Sequence, residues 1–158
     1  MPTWFVDDPK QDFTPPPARS SASLVILSED LSGEELTDLV GLPPQERWDR
    51  GDHSYAPGRF AGYKLGSRLA ESATPEEHLT DLLDQIEPVT ARVQALVGDA
   101  RIASVRVWLG HHIPNWNPGL SLSAGHLMRL DKLGAGLEID IYVTEVPDPR
   151  PTGDFPAH

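Results

Sequence analysis

Apolar and polar residues recur along this chain with two periods, and each change of period marks a new element. Ser23-Leu24-Val25-Ile26-Leu27-Ser28 is a short aliphatic run and predicts a first strand. Ser32 with Glu35 three residues later forms a capping box. Leu36, Leu39 and Val40 then supply the stripe of a short helix, which Gly41 and Pro43-Pro44 end. Residues 45–59 read as a polar loop around Trp48, and Phe60 to Leu65 as a second strand.

A longer helical pattern follows. Thr74 can cap, Pro75 suits the first helical position, and Glu77 completes a second capping box. Leu79, Leu82, Leu83, Ile86, Val89, Val93, Leu96 and Val97 recur at three- and four-residue steps, giving one apolar helix face that ends at Gly98. Pro88 lies inside it, lacks an amide donor and crowds the preceding turn, so a kink or a break is expected there. Ile102 to Leu109 predicts a third strand, with Val105, Val107 and Leu109 on one side and Arg106 and Trp108 on the other. Ser123 caps a helix carrying Leu127, Leu130 and Leu133, ended by Gly134 and Gly136. Leu137, Ile139, Ile141 and Val143 alternate with Glu138, Asp140 and Tyr142, the pattern of a half-buried strand.

Leu31-Ser32 followed by Leu36 and Leu39 resembles Leu122-Ser123 followed by Leu127 and Leu130. The order then reads as strand–helix–strand, a connecting helix, and strand–helix–strand. Such a chain is expected to form an α+β two-layer sandwich. Its two halves would build a mainly antiparallel four-stranded sheet, with helices mostly on one face. Prolines crowd both ends. Residues 1–21 read as an extended arm, residues 22–144 as one domain, and residues 145–158 as a proline-rich tail.

Composition narrows the function classes. The chain has 158 residues, the length of one ordinary domain, and 39% apolar residues, enough for a core without staples. It has no cysteine, which rules out disulfides, thiolate metal sites and cysteine nucleophiles. The start shows no secretory pattern, and the longest aliphatic run is Leu24 to Leu27, so a cytoplasmic location is expected. With 24 acidic against 13 basic residues the formal charge is −11. That field repels nucleic acid and anionic membranes, and it favours a basic protein as partner.

The folded region resembles domain-of-unknown-function family 4279, a set of small bacterial proteins. The resemblance rests on ordered pieces: Ser28-Glu29-Asp30-Leu31; Trp48 with Arg50-Gly51-Asp52; and Glu76-Glu77-His78-Leu79. It continues through Asn117-Pro118-Gly119-Leu120-Ser121-Leu122 and Leu137-Glu138-Ile139-Asp140-Ile141-Tyr142. Tyr63 stands where the family leads one to expect a tryptophan. The resemblance implies a fold and no reaction.

Phosphate-binding glycine loops and the Gly-x-Ser-x-Gly elbow are absent. No histidine pair has the helical spacing of a metal site, although His111 or His112 with His126 and a carboxylate is a conceivable zinc set. No metal and no cofactor is expected. Two candidate binding regions remain. One is the face of the sheet opposite the helices, where Arg106 and Trp108 would meet Glu138, Asp140 and Tyr142, with Lys64 nearby. The other is the loop holding Trp48, Asp49, Arg50, Asp52, His53 and Arg59, which mixes an aromatic with opposite charges. Either region is equally compatible with purely structural roles. The first reading of function is a non-enzymatic interaction module, of immunity or adaptor type. The alternative is a small ligand-binding protein or enzyme that uses the Trp48–Arg59 loop, with Asp49, Asp52 and His53 as acid–base groups and Arg50 or Arg59 as anion clamp.

Overall fold

A computed structural model describes residues 17–52, 58–114 and 119–144. The elements in chain order are β1 (Arg19–Ser28), α1 (Gly33–Val40), β2 (Glu46–Trp48), β3 (Ala61–Gly66) and α2 (Pro75–Ile86). After one 3-10 turn (Glu87–Val89) come α3 (Thr90–Val97), β4 (Ile102–Pro114), α4 (Ala124–Leu133) and β5 (Gly136–Thr144). No helix among these residues is long and apolar enough to cross a membrane.

The architecture is α+β, with one mixed sheet of five strands in the order β2-β3-β1-β4-β5. This corrects the expected four-stranded, mainly antiparallel sheet in two respects. The polar stretch 45–59 contains a strand, because Glu46, Arg47 and Trp48 pair antiparallel with Lys64, Tyr63 and Gly62. Three residues are too few for a hydrophobic period to register. The pairing of β4 with β5 is also parallel. The two strand–helix–strand units therefore differ. In the first, α1 leads into β2, which runs parallel to β1 but is separated from it by the antiparallel β3. In the second, α4 is the crossover of a parallel pair, as parallel neighbours require.

Strand ends also move. Arg19, Ser20 and Ser21 pair with His112, His111 and Gly110, so β1 begins inside the stretch read as an arm. Serines carry no strand signal, and here the pairing is imposed by the long β4. Pro88 breaks the long helix: α2 stops at Ile86, the 3-10 turn holds the proline, and α3 resumes at Thr90.

All the helices pack on one side. The core joins Leu24 and Ile26 of β1, Tyr63 of β3 and Val107 and Leu109 of β4 to Leu36, Leu79, Leu82, Val93 and Leu133 of the helices. Tyr63 is fully buried and its hydroxyl donates to the Leu42 carbonyl at 3.2 Å; burial pushes its pKa up to about 12. Both expected capping boxes form, with Ser32 and Thr74 accepting from the amides of Glu35 and Glu77, and Ser123 caps α4 in a third box that the sequence reading did not include, accepting from the amide of His126.

The expected half-burial of β5 does not occur. Its apolar residues share the helix side of the sheet with Val107 and Leu109, yet Leu137, Ile139, Ile141 and Val143 are 37%, 38%, 51% and 59% exposed. The helix α4 packs against α2 and α3 and leaves the outermost strand uncovered.

Candidate functional site

The face of the sheet away from the helices carries the alternate residues of every strand. In β4 these are Arg106, Trp108, Gly110 and His112, and in β5 they are Glu138, Asp140 and Tyr142. The five residues singled out on this face do come together. Arg106 Nη1 lies 2.6 Å from Glu138 Oε2. The indole Nε1–H of Trp108 donates to Asp140 Oδ2 at 2.6 Å, and the Tyr142 hydroxyl donates to the same oxygen at 3.3 Å. Partial burial first, and then the Asp140 carboxylate, hold the Tyr142 hydroxyl pKa above its ordinary value. Lys64 of β3 extends its ammonium over the Trp108 ring, 6.0 Å from the centroid.

Two glycines make room for the two tryptophans. Gly62 lies opposite Trp48, and the Trp48 ring fills the space where a Cβ of residue 62 would stand. A Cβ on Gly110 would lie 3.0 Å from the Trp108 ring. Between the aromatic and ionic groups is a shallow depression of about 150 Å³, lined by Val25, Leu27, Ser104, Arg106, Trp108 and Glu138.

The sequence reading missed His112. The sequence offers it only as a conceivable zinc ligand, but β4 runs on to Pro114 and pairs His112 directly with Tyr142. The rings stack with centroids 4.4 Å apart and planes 14° from parallel. The alternation Arg106, Trp108, Gly110, His112 was the available signal. His111 points to the other face, where it is buried and its Nδ1 lies 2.9 Å from Ser20 Oγ. His126 belongs to the α4 cap, with Nε2 2.7 Å from Thr80 Oγ1. The three histidines considered for zinc thus sit in three separate settings. Among the described residues no three of His, Cys, Asp and Glu gather as metal ligands.

The Trp48 loop divides. Trp48 itself belongs to the open sheet face. Asp49 Oδ1 accepts from the Gly33 amide at 2.8 Å, at the start of α1. Arg50 donates to the Glu29 carbonyl at 2.9 Å, and Arg59 pairs with the Glu29 carboxylate while its guanidinium rests 5.3 Å from the Phe60 ring centroid. The Asp52 amide donates to the Asp49 carbonyl at 3.2 Å, closing a turn. These groups brace the segment between β1 and α1. Arg59 is thus tied to Glu29 and the Asp52 amide to Asp49, and His53 lies outside the described residues.

Charge is unevenly distributed. The open face is balanced, with Glu46, Glu138 and Asp140 set against Lys64, Arg106 and Arg19. Among the described residues carboxylates are frequent in the helix layer, with Glu34, Glu35 and Asp38 in α1 and Glu76, Glu77, Asp81 and Asp84 in α2. A wide depression of about 650 Å³ runs beside α2. Two of its carboxylates are already paired, Asp81 with Arg68 and Asp84 with Arg129.

No curated protein and no solved structure matches this chain significantly. The family model described as "Domain of unknown function (DUF4279)" matches residues 18–144, which takes in every strand and helix described above. The chain is a member of the DUF4279 family.

Proposed function

We propose that this protein is a non-enzymatic interaction module that binds a protein of net positive charge through the open face of its sheet. The observation that carries this reading is the cross-strand array itself. Arg106–Glu138, Trp108–Asp140 and His112–Tyr142 are each held by a specific contact on a face that no helix covers. Side chains held in this way lose little freedom on binding, and Trp and Tyr are the residue types that most often anchor protein contacts. A depression of about 150 Å³ is small beside the several hundred Å³ of a typical small-molecule site, which favours a broad contact.

The net charge acts at longer range. The charge of −11 on the whole chain would draw a cationic partner, and the balanced open face would hold it once docked. The Trp48–Arg59 alternative is the weaker reading, since Asp49, Arg50 and Arg59 already serve the turn before α1.

The test is quantitative affinity capture from the native host with wild-type protein, Trp108→Ala and the helix-layer control Glu34→Lys, each first shown to melt cooperatively. The expected result is a basic protein retained by wild type and by the control and lost with Trp108→Ala. An identical set of bound proteins for all three would overturn the proposal.

A further inference from the structure

We infer that β5 is the seam of a homodimer, in which two copies of this chain pair their β5 edges antiparallel about a two-fold axis to make one ten-stranded sheet. The two edges of the sheet are built differently. β2 has three residues and exposes the charged Glu46 and Arg47, the short, charged kind of edge that resists pairing. β5 has nine residues, contains neither proline nor lysine, and is the last strand of the sheet order, so among the described residues its outward backbone groups face no further strand. Such an edge is a template for another strand.

The apolar strip chooses the occupant. Leu137, Ile139, Ile141 and Val143 share one face, and each is more than a third exposed. In an isologous antiparallel pair, facing residues point to the same side of the sheet, so strip meets strip. Tyr142 of β5 and Leu127 and Met128 of α4, which leads into β5, are also exposed. Together these side chains leave on the order of 700 Å² open per copy, an upper limit on what they could bury in the seam, beside the roughly 800 Å² that each partner of a standard interface buries.

The chain's own ends fit the edge less well. Residues 145–151 carry proline at 147, 149 and 151, which removes donors at every second position. In residues 1–16 prolines at 2, 9, 15 and 16 leave no proline-free stretch longer than six residues, shorter than the nine of β5.

Charge opposes the pairing in a measurable way. Arg106 offsets Glu138, but Asp140 is met only by neutral donors from Trp108 and Tyr142, and each copy carries a net −11. Added salt should therefore tighten the dimer. Pairing in this sense keeps both open faces on the same side, with Asp140 and Tyr142 beside the seam.

The experiment is sedimentation equilibrium of the full chain up to about 100 µM, at low salt and at about 0.5 M salt. The expected result is a dimer whose dissociation constant falls as salt rises. Ile141→Lys and Val143→Lys, at exposed positions, should each raise that constant at least about tenfold, with the thermal transition unchanged at concentrations low enough for the monomer to prevail, while Arg47→Glu at the opposite edge leaves it alone. A wild-type monomer at about 100 µM, or a dimer indifferent to both lysines, would overturn the inference. So would a wild-type monomer that dimerises once Trp4→Ser and Phe5→Ser are introduced, because the strip would then be covered by the chain's own N-terminal segment.

Discussion

Trp108 bonds to Asp140, and Gly110 is what lets it do so. The residue directly opposite Asp140 in the β4–β5 register is Gly110, while Trp108 faces Glu138. The indole therefore reaches diagonally across the ladder, over a position with no side chain, to place its N–H 2.6 Å from Asp140 Oδ2. Arg106 makes the same diagonal step, facing Gly136 and bonding to Glu138. Both contacts tie β5 to β4 from the open side, where the apolar side chains of β5 add little.

Gly110→Ala is accordingly expected to displace the Trp108 ring. Its new Cβ would stand 3.0 Å from the ring and 3.1 Å from Ser21 Oγ, so one neighbour must give way. The expected cost is about 1–3 kcal/mol, the range for overpacking. The indole N–H resonance that Trp108→Phe removes should shift upfield in Gly110→Ala as its hydrogen bond lengthens. An unmoved resonance would mean that the ring reaches Asp140 without needing the space.

Leu83→Ala should destabilise by about 2–5 kcal/mol, measured by urea denaturation. Leu83 is 4% exposed and packs in the same core as Leu79, Leu82 and Ile86 of α2. A loss below about 0.5 kcal/mol would be the value of a surface site and would contradict its place in the core.

Stability should fall as pH drops below about 6.5, before most carboxylates titrate. His78 and His111 are both buried, each with Nδ1 2.9 Å from a serine hydroxyl, Ser67 and Ser20 respectively. Burial lowers both pKa values below 6.5, while Asp81, Glu77 and Glu71 near His78 and Glu76 near His111 pull the other way. A depressed folded-state pKa means that the unfolded chain takes up protons first. Above 6.5 both states are neutral and nothing is lost; below it the native state loses ground until its own histidines protonate. The fully exposed capping carboxylates Glu35 and Glu77, whose pKa values are lowered by their cap hydrogen bonds, act only at lower pH. Denaturation midpoints at pH 7.5, 6 and 5 should decline, and His111→Gln should flatten the decline. A flat wild-type profile across this window would contradict the assignment.

Truncation separates the arm from the first strand. A chain of residues 17–144 retains all of β1, whereas residues 22–144 lack Arg19, Ser20 and Ser21 and leave His111 Nδ1 without Ser20. The shorter chain should be less stable than 17–144 by about 1–3 kcal/mol, the cost of a buried polar group left unpaired. Equal melting of the two would show that this end of β1 adds nothing.

Much of the site was readable one strand at a time. The alternation of Arg106 with Trp108 and of Glu138 with Asp140 and Tyr142 placed five side chains on a common face before any pairing was known. Register was not readable. That Gly110 stands opposite Asp140, and that His112 stacks on Tyr142, depends on where β5 slides against β4, and the turn geometry that would set a hairpin's register is absent when a helix joins parallel strands. For the Trp48 loop the sequence leaves two readings open, because opposite charges around an aromatic look the same whether they await a ligand or brace a turn.

By itself the sequence determined the helix starts at Ser32, Thr74 and Ser123, an interruption at Pro88, and the inward face of β4, because caps, proline and hydrophobic period act within a few residues. Only the tertiary structure decided the fate of β5. Its alternation is as regular as that of any buried strand, but burial also needs a helix overhead, and α4 settles on α2 and α3 instead. Local pattern states which face of a strand is apolar, and neighbouring elements, placed by contacts far apart in the chain, determine whether water reaches it.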